Sequence, residues 1–135
     1  MPKLPESYIE HMKEILQDEL DSYLQSFEEE RSFGLSVNTL KIKSEDLLLQ
    51  DPFHLKKIPW TQSGYYYKEQ EKPAKHPYYH AGLYYLQEPS AMLPAEVLPI
   101  EEGDIVLDAC AAPGGKTIKL AEKLNGTGIL FSNDI

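Results

Sequence analysis

Between residues 8 and 27, apolar side chains recur at three- and four-residue steps: Tyr8, Ile9, Met12, Ile15, Leu16, Leu20, Tyr23, Leu24 and Phe27. That spacing puts them on one face of a helix. Pro5 suits a helix's first turn. Asp18 is placed to cap a second helix, so the stretch reads either as one bent helix or as two short ones. Its acids lie mainly on the opposite face and read as solvation. Phe33-Gly34 reads as a break, after which LSVNTLKI reads as a strand of imperfect period. Ser44 can cap a short helix, SEDLLLQ, which Asp51-Pro52 ends. LKKIPW and GYYYKE predict further short strands, and EKPAKHP a polar loop. GLYYLQ reads as extended. EPSAMLPAEVL reads as a helix beginning at Pro89, with Pro94 marking a bend or a later start.

The pattern changes at Gly103. DIVLDA is a short, near-continuous apolar run of the kind that becomes a strand buried on both faces. CAAPGG is a turn, and KTIKLAEKL a helix with Ile118, Leu120, Ala121 and Leu124 available to cover a sheet. Asn125-Gly126 closes it, and GILFSND is a second buried strand. This β-α-β unit opens a doubly wound parallel sheet. The expected fold class is α/β: an α+β domain over residues 1–80, then residues 81–135 as the start of a Rossmann-like domain, truncated after its second strand. The boundary falls near residues 75–90. A two-stranded parallel start cannot bury both faces alone. The chain is therefore expected either to pack against a copy of itself or to be poorly ordered near its end.

Composition narrows the class. The chain has 135 residues, with 41% hydrophobic and 26% charged, as in an ordinary soluble domain. No apolar run approaches the roughly 18 residues of a membrane span, and the N-terminus lacks the apolar core of a secretory signal. One cysteine, Cys110, excludes an internal disulfide and a multi-cysteine zinc site. The expectation is a cytoplasmic protein. The net charge of −9 is uneven. Residues 1–30 carry nine acids against two lysines, and residues 81–135 eight acids against three lysines. Residues 31–80 instead carry eight bases against five acids, a local basic surface suited to phosphate.

The glycine-rich turn admits three readings. A P-loop needs G-x-x-x-x-G-K-[ST]; Gly115, Lys116 and Thr117 supply its end, but Cys110 stands where its first glycine belongs. A dinucleotide fold needs G-x-G-x-x-G, a spacing not found here. The third reading is an S-adenosylmethionine site. Asp108, Cys110, Ala112 and Gly114 give an acid followed by small residues at alternate positions, and the helix N-terminus beyond offers unpaired N–H groups to a carboxylate. Asp134, 26 residues after Asp108, lies about where a ribose-hydroxyl acceptor belongs; the bland reading is a strand-end turn residue.

These residues carry a resemblance. DACAAPGGKT closely resembles the cofactor loop of the Sun (Fmu-like) family of RNA cytosine-5 methyltransferases. YYLQEPSAMLPAEVL resembles the segment preceding that loop, and LSVNTLKIKSEDLL the family's N-terminal domain motif. The subgroup it resembles is RsmF-like, acting on ribosomal RNA. The family usually has arginine where this chain has Ser36. The resemblance implies S-adenosylmethionine as cofactor, held by Cys110, Ala111, Ala112, Pro113, Gly114, Gly115, Lys116 and Asp134. It implies ribosomal RNA as partner, with transfer RNA as the alternative. It also implies a catalytic cysteine thiolate in a proline-cysteine motif downstream of the second strand. No such motif occurs in these residues, so this piece is expected to be the inactive N-terminal part of the enzyme, with no catalytic residue of its own.

Cys110 reads as a small packing residue of the turn rather than a nucleophile. His11, His54, His76 and His80 lack metal-ligand spacing. Tyr65, Tyr66, Tyr67, Tyr78, Tyr79, Tyr84 and Tyr85 lie within or beside the basic segment. About half are expected in a small core, and a minority on bases of a bound RNA. A non-catalytic RNA-binding module built on residues 31–80 is the competing reading of function.

Overall fold

The computed structural model describes residues 4–50 and 52–135. They form two compact units, one ending at Arg31 and one spanning Ser32–Ile135.

The first unit is two helices rather than one bent one, α1 (Glu6–Leu16) and α2 (Leu20–Ser26), joined by a 3-10 turn over Gln17–Glu19. Gln17 takes a positive φ of 46° and stops α1. The Tyr8 and Tyr23 hydroxyls meet across the bend, and the Tyr23 and Phe27 rings pack edge to face at 5.2 Å.

The second unit contains β1 (Phe33–Val37), α3 (Ser44–Gln50), β2 (Lys56–Lys57), β3 (Gly64–Tyr67), α4 (Pro77–His80), β4 (Tyr84–Leu86), α5 (Pro89–Val97), β5 (Ile105–Asp108), α6 (Gly115–Leu124) and β6 (Ile129–Ser132). An antiparallel sheet has the order β2-β3-β1-β4, and β5 and β6 pair in parallel. β1 stops at Val37 because the Asn38 side chain turns the chain, accepting from the Leu40 amide at 3.2 Å and donating to the Gly82 carbonyl at 3.1 Å. The expected end of α3 at Asp51 lies outside the described residues.

Alternation along β1 gives the antiparallel sheet two buried faces. Leu35 and Val37, with their cross-strand partners Tyr65 and Tyr84, face a core closed by Leu47 of α3 and by Phe53. Gly34 and Ser36, with Gly64 and Tyr85, share the other face, against which α5 packs. Phe33-Gly34 is therefore the start of a strand and not a break. A Cβ on Gly34 would come within 2.7 Å of the Gln87 carbonyl and 3.0 Å of the Met92 methyl, so only glycine lets α5 come this close. Pro94 lies inside α5, which starts at Pro89 and is not delayed to it; Pro94 lacks the amide that would reach back to Ser90. β4 belongs to this sheet, which therefore extends past residue 80.

The β-α-β unit forms as its pattern predicts. Its strands, however, are not buried on both faces: Ile105, Leu107, Ile129 and Phe131 are 73%, 66%, 49% and 56% exposed. They are register partners on one side of the two-stranded sheet, while Val106 and Leu130, in the alternate positions, are half-buried. No neighbouring element among the described residues covers the outer side.

Candidate functional site at the glycine-rich turn

β5 delivers Asp108 to the start of the glycine-rich turn, and α6 leaves it at Gly115. Asp108 organises the turn from within. Its Oδ1 accepts the Cys110 amide at 3.3 Å, and its Oδ2 accepts the Thr117 hydroxyl at 2.6 Å. The second strand ties the turn from the other side: the Ala111 amide donates to the Asn133 carbonyl at 3.0 Å, and the Ala112 amide to Asp134 Oδ2 at 2.8 Å. The Ala112–Pro113 peptide is cis. Gly114 comes next at φ +112°, a conformation that side-chain-bearing residues avoid. The first α6 amide with a carbonyl acceptor inside the turn is Ile118, bonded to Gly114 at 3.0 Å, so the amides ahead of it open the helix.

A third support comes from β4. Tyr84 and Tyr85 are adjacent and point to opposite faces of the sheet. Tyr84 is buried in the core, where its hydroxyl donates to the Pro73 carbonyl at 2.8 Å. Tyr85 reaches the turn, its hydroxyl donating to the Pro113 carbonyl at 3.1 Å. Partial burial, then the neighbouring Tyr79, raise the Tyr85 phenol above its ordinary range, which keeps it a donor. A Cβ on Gly115 would lie 2.8 Å from the Tyr85 ring and 3.1 Å from the Gln87 amide. Between these walls is a cleft of about 250 Å3, lined by Tyr85, Gln87, Glu88 and Ala91 on one side and by Cys110–Pro113, Gly115 and Lys116 on the other.

Seven of the eight expected cofactor residues are thus gathered in one continuous turn. Gly114 shapes the backbone from outside the cleft lining. Asp134 stands at the end of β6, bonded to the turn and, through Oδ1, to the Ile135 amide at 2.9 Å. Cys110 is exposed. Tyr85, Gln87 and Glu88 were not among the expected residues. The signal was present in YYLQE, where alternation sends Tyr85 and Gln87 to the face opposite Tyr84.

The basic segment is less uniformly available. Lys57 donates to the Gln62 carbonyl and lies 4.6 Å from the Tyr65 ring centroid, and burial lowers its pKa. Lys41 donates to the Ala81 carbonyl at 2.8 Å. Lys56, Lys68, Lys72 and Lys75 are exposed. Of the tyrosines, Tyr65 and Tyr84 are buried, Tyr66, Tyr67, Tyr78 and Tyr85 half-buried, and Tyr79 exposed. His76 packs between Phe53 and Tyr78 at ring distances of 5.1 and 4.5 Å. Among the described residues no three His, Cys, Asp or Glu side chains converge as a metal site, and no helix is long and apolar enough to cross a membrane.

Residues 4–89 match the family described as the N-terminal domain of 16S rRNA methyltransferase RsmF, and residues 95–135 the family described as 16S rRNA methyltransferase RsmB/F. Ribosomal RNA small subunit methyltransferase F of Vibrio atlanticus is 36% identical over 141 residues, covering 97% of this chain and 30% of that protein. The protein of the same name from a Shewanella species (strain MR-7) is 39% identical over 108 residues, covering 75% and 22%. Among solved structures, a methyltransferase homologue from Pyrococcus horikoshii superimposes with a TM-score of 0.70 at 35% identity, over 82% of this chain and 37% of that one. NSun6 from Pyrococcus horikoshii, solved with SFG, shares the fold with a TM-score of 0.79 at 18% identity, over 96% and 58%. The chain spans about 30% of the length of the curated relatives it matches. It belongs to the family of RsmF-type 16S rRNA methyltransferases and corresponds to their N-terminal part.

Proposed function

We propose that this chain is the N-terminal part of an S-adenosylmethionine-dependent RNA cytosine-5 methyltransferase acting in the cytoplasm on ribosomal RNA. Residues 1–80 serve RNA docking, and residues 81–135 begin the methyl-donor site. The observation that carries the reading is the turn itself: a strand-end acid, small residues from Cys110 to Gly115, and a helix N-terminus, all opening on one cleft. The cleft fits the donor in kind. At Gly115 a Cβ would intrude on Tyr85 and Gln87, and the opening amides of α6 suit a carboxylate.

In this reading the early α6 amides hold the methionyl carboxylate, with Lys116 exposed beside them. Asp108 keeps the turn closed through Thr117, and Asp134 turns to a ribose hydroxyl once a ligand competes for it. Bound S-adenosylmethionine supplies an electrophilic methyl group. These residues bind and orient it, and no nucleophile for the cytosine is among them. Cys110 gives its backbone amide to Asp108 in the turn, and its side chain is exposed rather than packed.

Calorimetry with S-adenosylhomocysteine tests the reading. The expected result is weak binding, abolished by Gly115→Leu, together with no methyl transfer to ribosomal RNA by this chain alone. Tight binding that Gly115→Leu leaves intact places the ligand elsewhere and overturns it.

A further inference from the structure

A second polar cluster lies behind the turn, on the sheet face that α5 and α6 cover. Lys119 is 8% exposed, a degree of burial rare for lysine. Its Nζ lies 3.2 Å from Glu96 Oε1, 3.2 Å from Glu122 Oε2 and 3.1 Å from Ser63 Oγ, which uses all three of its donors. Both carboxylates are buried as well and also accept backbone amides from the turns of the antiparallel sheet. Glu96 takes Gln62 at 2.9 Å, and Glu122 takes Thr39 at 3.2 Å. One cation on α6 thereby joins the end of α5 to two turns of the sheet. Ser63 Oγ is 3.4 Å from Ser36 Oγ.

We propose that Lys119 is a positioning residue for the cofactor turn. Its buried ammonium, shared by Glu96, Glu122 and Ser63, anchors α6 to the antiparallel sheet. Lys119 stands four residues after Gly115, one helical turn along the helix that the glycine-rich turn opens. Fixing its ammonium fixes the start of α6, and with it the spacing between the turn and Tyr85. Lys123, one turn further on, donates to the Glu96 and Leu98 carbonyls at 2.6 and 2.5 Å and holds the far end of the helix. The proposal rests on the reading of the turn as a methyl-donor site, but its mechanical part does not need the ligand.

The test compares Lys119→Met, Lys119→Arg and Lys123→Met in the whole chain. The readouts are S-adenosylhomocysteine calorimetry, amide exchange at residues 115–118 and thermal melting. Lys119→Met is expected to weaken binding and speed exchange at the turn by about tenfold each, the scale of a coupled contact. Lys119→Arg, which keeps the cation, is expected to stay within about threefold of the unmodified chain in both. Lys123→Met is expected to lower the melting temperature without speeding exchange at the turn. Equal exchange in Lys119→Met and Lys123→Met, or an arginine variant no better than Lys119→Met, overturns the proposal. Where Lys119→Met shows no cooperative melt, the arginine variant decides: a cooperative melt with slow turn exchange supports the proposal, and its absence overturns it. If the unmodified chain binds no S-adenosylhomocysteine, the cofactor reading fails and the exchange data alone judge Lys119.

Discussion

The Tyr85 hydroxyl donates to the Pro113 carbonyl across 3.1 Å, so the edge strand of the antiparallel sheet holds the glycine-rich turn of the β-α-β unit. Removing only that hydroxyl, Tyr85→Phe, is expected to cost about 0.5–1.5 kcal/mol at the turn, the net worth of one neutral hydrogen bond. The check is faster amide exchange at residues 110–114 with the melting temperature nearly unchanged. An equal acceleration throughout β4 would assign the bond to the sheet and not to the turn.

Gly115 and Gly114 are expected to fail for different reasons. Gly115→Ala drives a Cβ to 2.8 Å from the Tyr85 ring and should destabilise by about 1–3 kcal/mol through overpacking. Gly114→Ala has open space but a φ of +112°, and the expected cost is backbone strain of order 1–3 kcal/mol. Chemical denaturation of the double variants separates them. Adding Tyr85→Ala should absorb most of the Gly115→Ala penalty and none of the Gly114→Ala penalty.

Tyr84 gives the molecule an alkaline limb. Burial first, then Tyr67 and Tyr79, push its phenol from 10.0 to about 12. Between those values the unfolded chain has released a proton that the folded chain keeps. The stability this phenol contributes is therefore full below pH 10 and falls as pH rises toward 12, by up to about 1.4 kcal/mol per unit. Tyr84→Phe should remove that part of the limb. At neutral pH it should cost about 1–3 kcal/mol, because the Pro73 carbonyl loses its buried donor. Urea midpoints on either side of pH 10 measure both.

The outer side of the two-stranded sheet, Ile105, Leu107, Ile129 and Phe131, is a contiguous apolar surface, and such surfaces associate. Sedimentation of the chain is expected to show a concentration-dependent dimer that Leu107→Lys with Phe131→Glu converts to monomer. A monomer across the accessible concentration range removes self-association from the account.

For RNA, exposed Lys56 and engaged Lys57 should behave differently. Lys56→Glu is expected to weaken binding evenly across sequences and lower the salt slope by about one. Lys57→Glu should also lower the melting temperature, because its ammonium is tied to Gln62 and rests on Tyr65. Filter binding over a salt series, set beside the two melting curves, checks this.

The elements that read well from the chain are those with local causes. The parallel pair with its helix arises from two apolar runs around a small-residue turn, and α5 from its position behind Glu88-Pro89. What did not read is tertiary. Gly34 looks like a break until α5 is seen lying against it. Lys119 and Glu122 look like a solvated helix face until Glu96, Ser63 and Thr39 are brought to them from as far as 83 residues away. Ile105 and Phe131 look like core because apolarity records a capacity for burial, not its fulfilment. In the site, the turn was legible because glycine and small residues leave a pattern. Its outer wall, Tyr85 and Gln87, was not, because a strand shows which side chains alternate but not what each face will meet.

The two buried faces of the antiparallel sheet carry a consequence for the order of events at the ribosome. One face closes on side chains between Leu47 and Phe53, which emerge soon after β1. The other waits for Met92, Glu96 and Lys119. A nascent chain halted before α5 thus carries a sheet with one dry face and one wet one, and a chain halted before α6 still lacks the cation that Glu96 meets. The sheet reaches its final packing only when α6, which follows the glycine-rich turn, has also been synthesised. Completion of the antiparallel sheet and placement of the glycine-rich turn are therefore coupled steps within one compact unit.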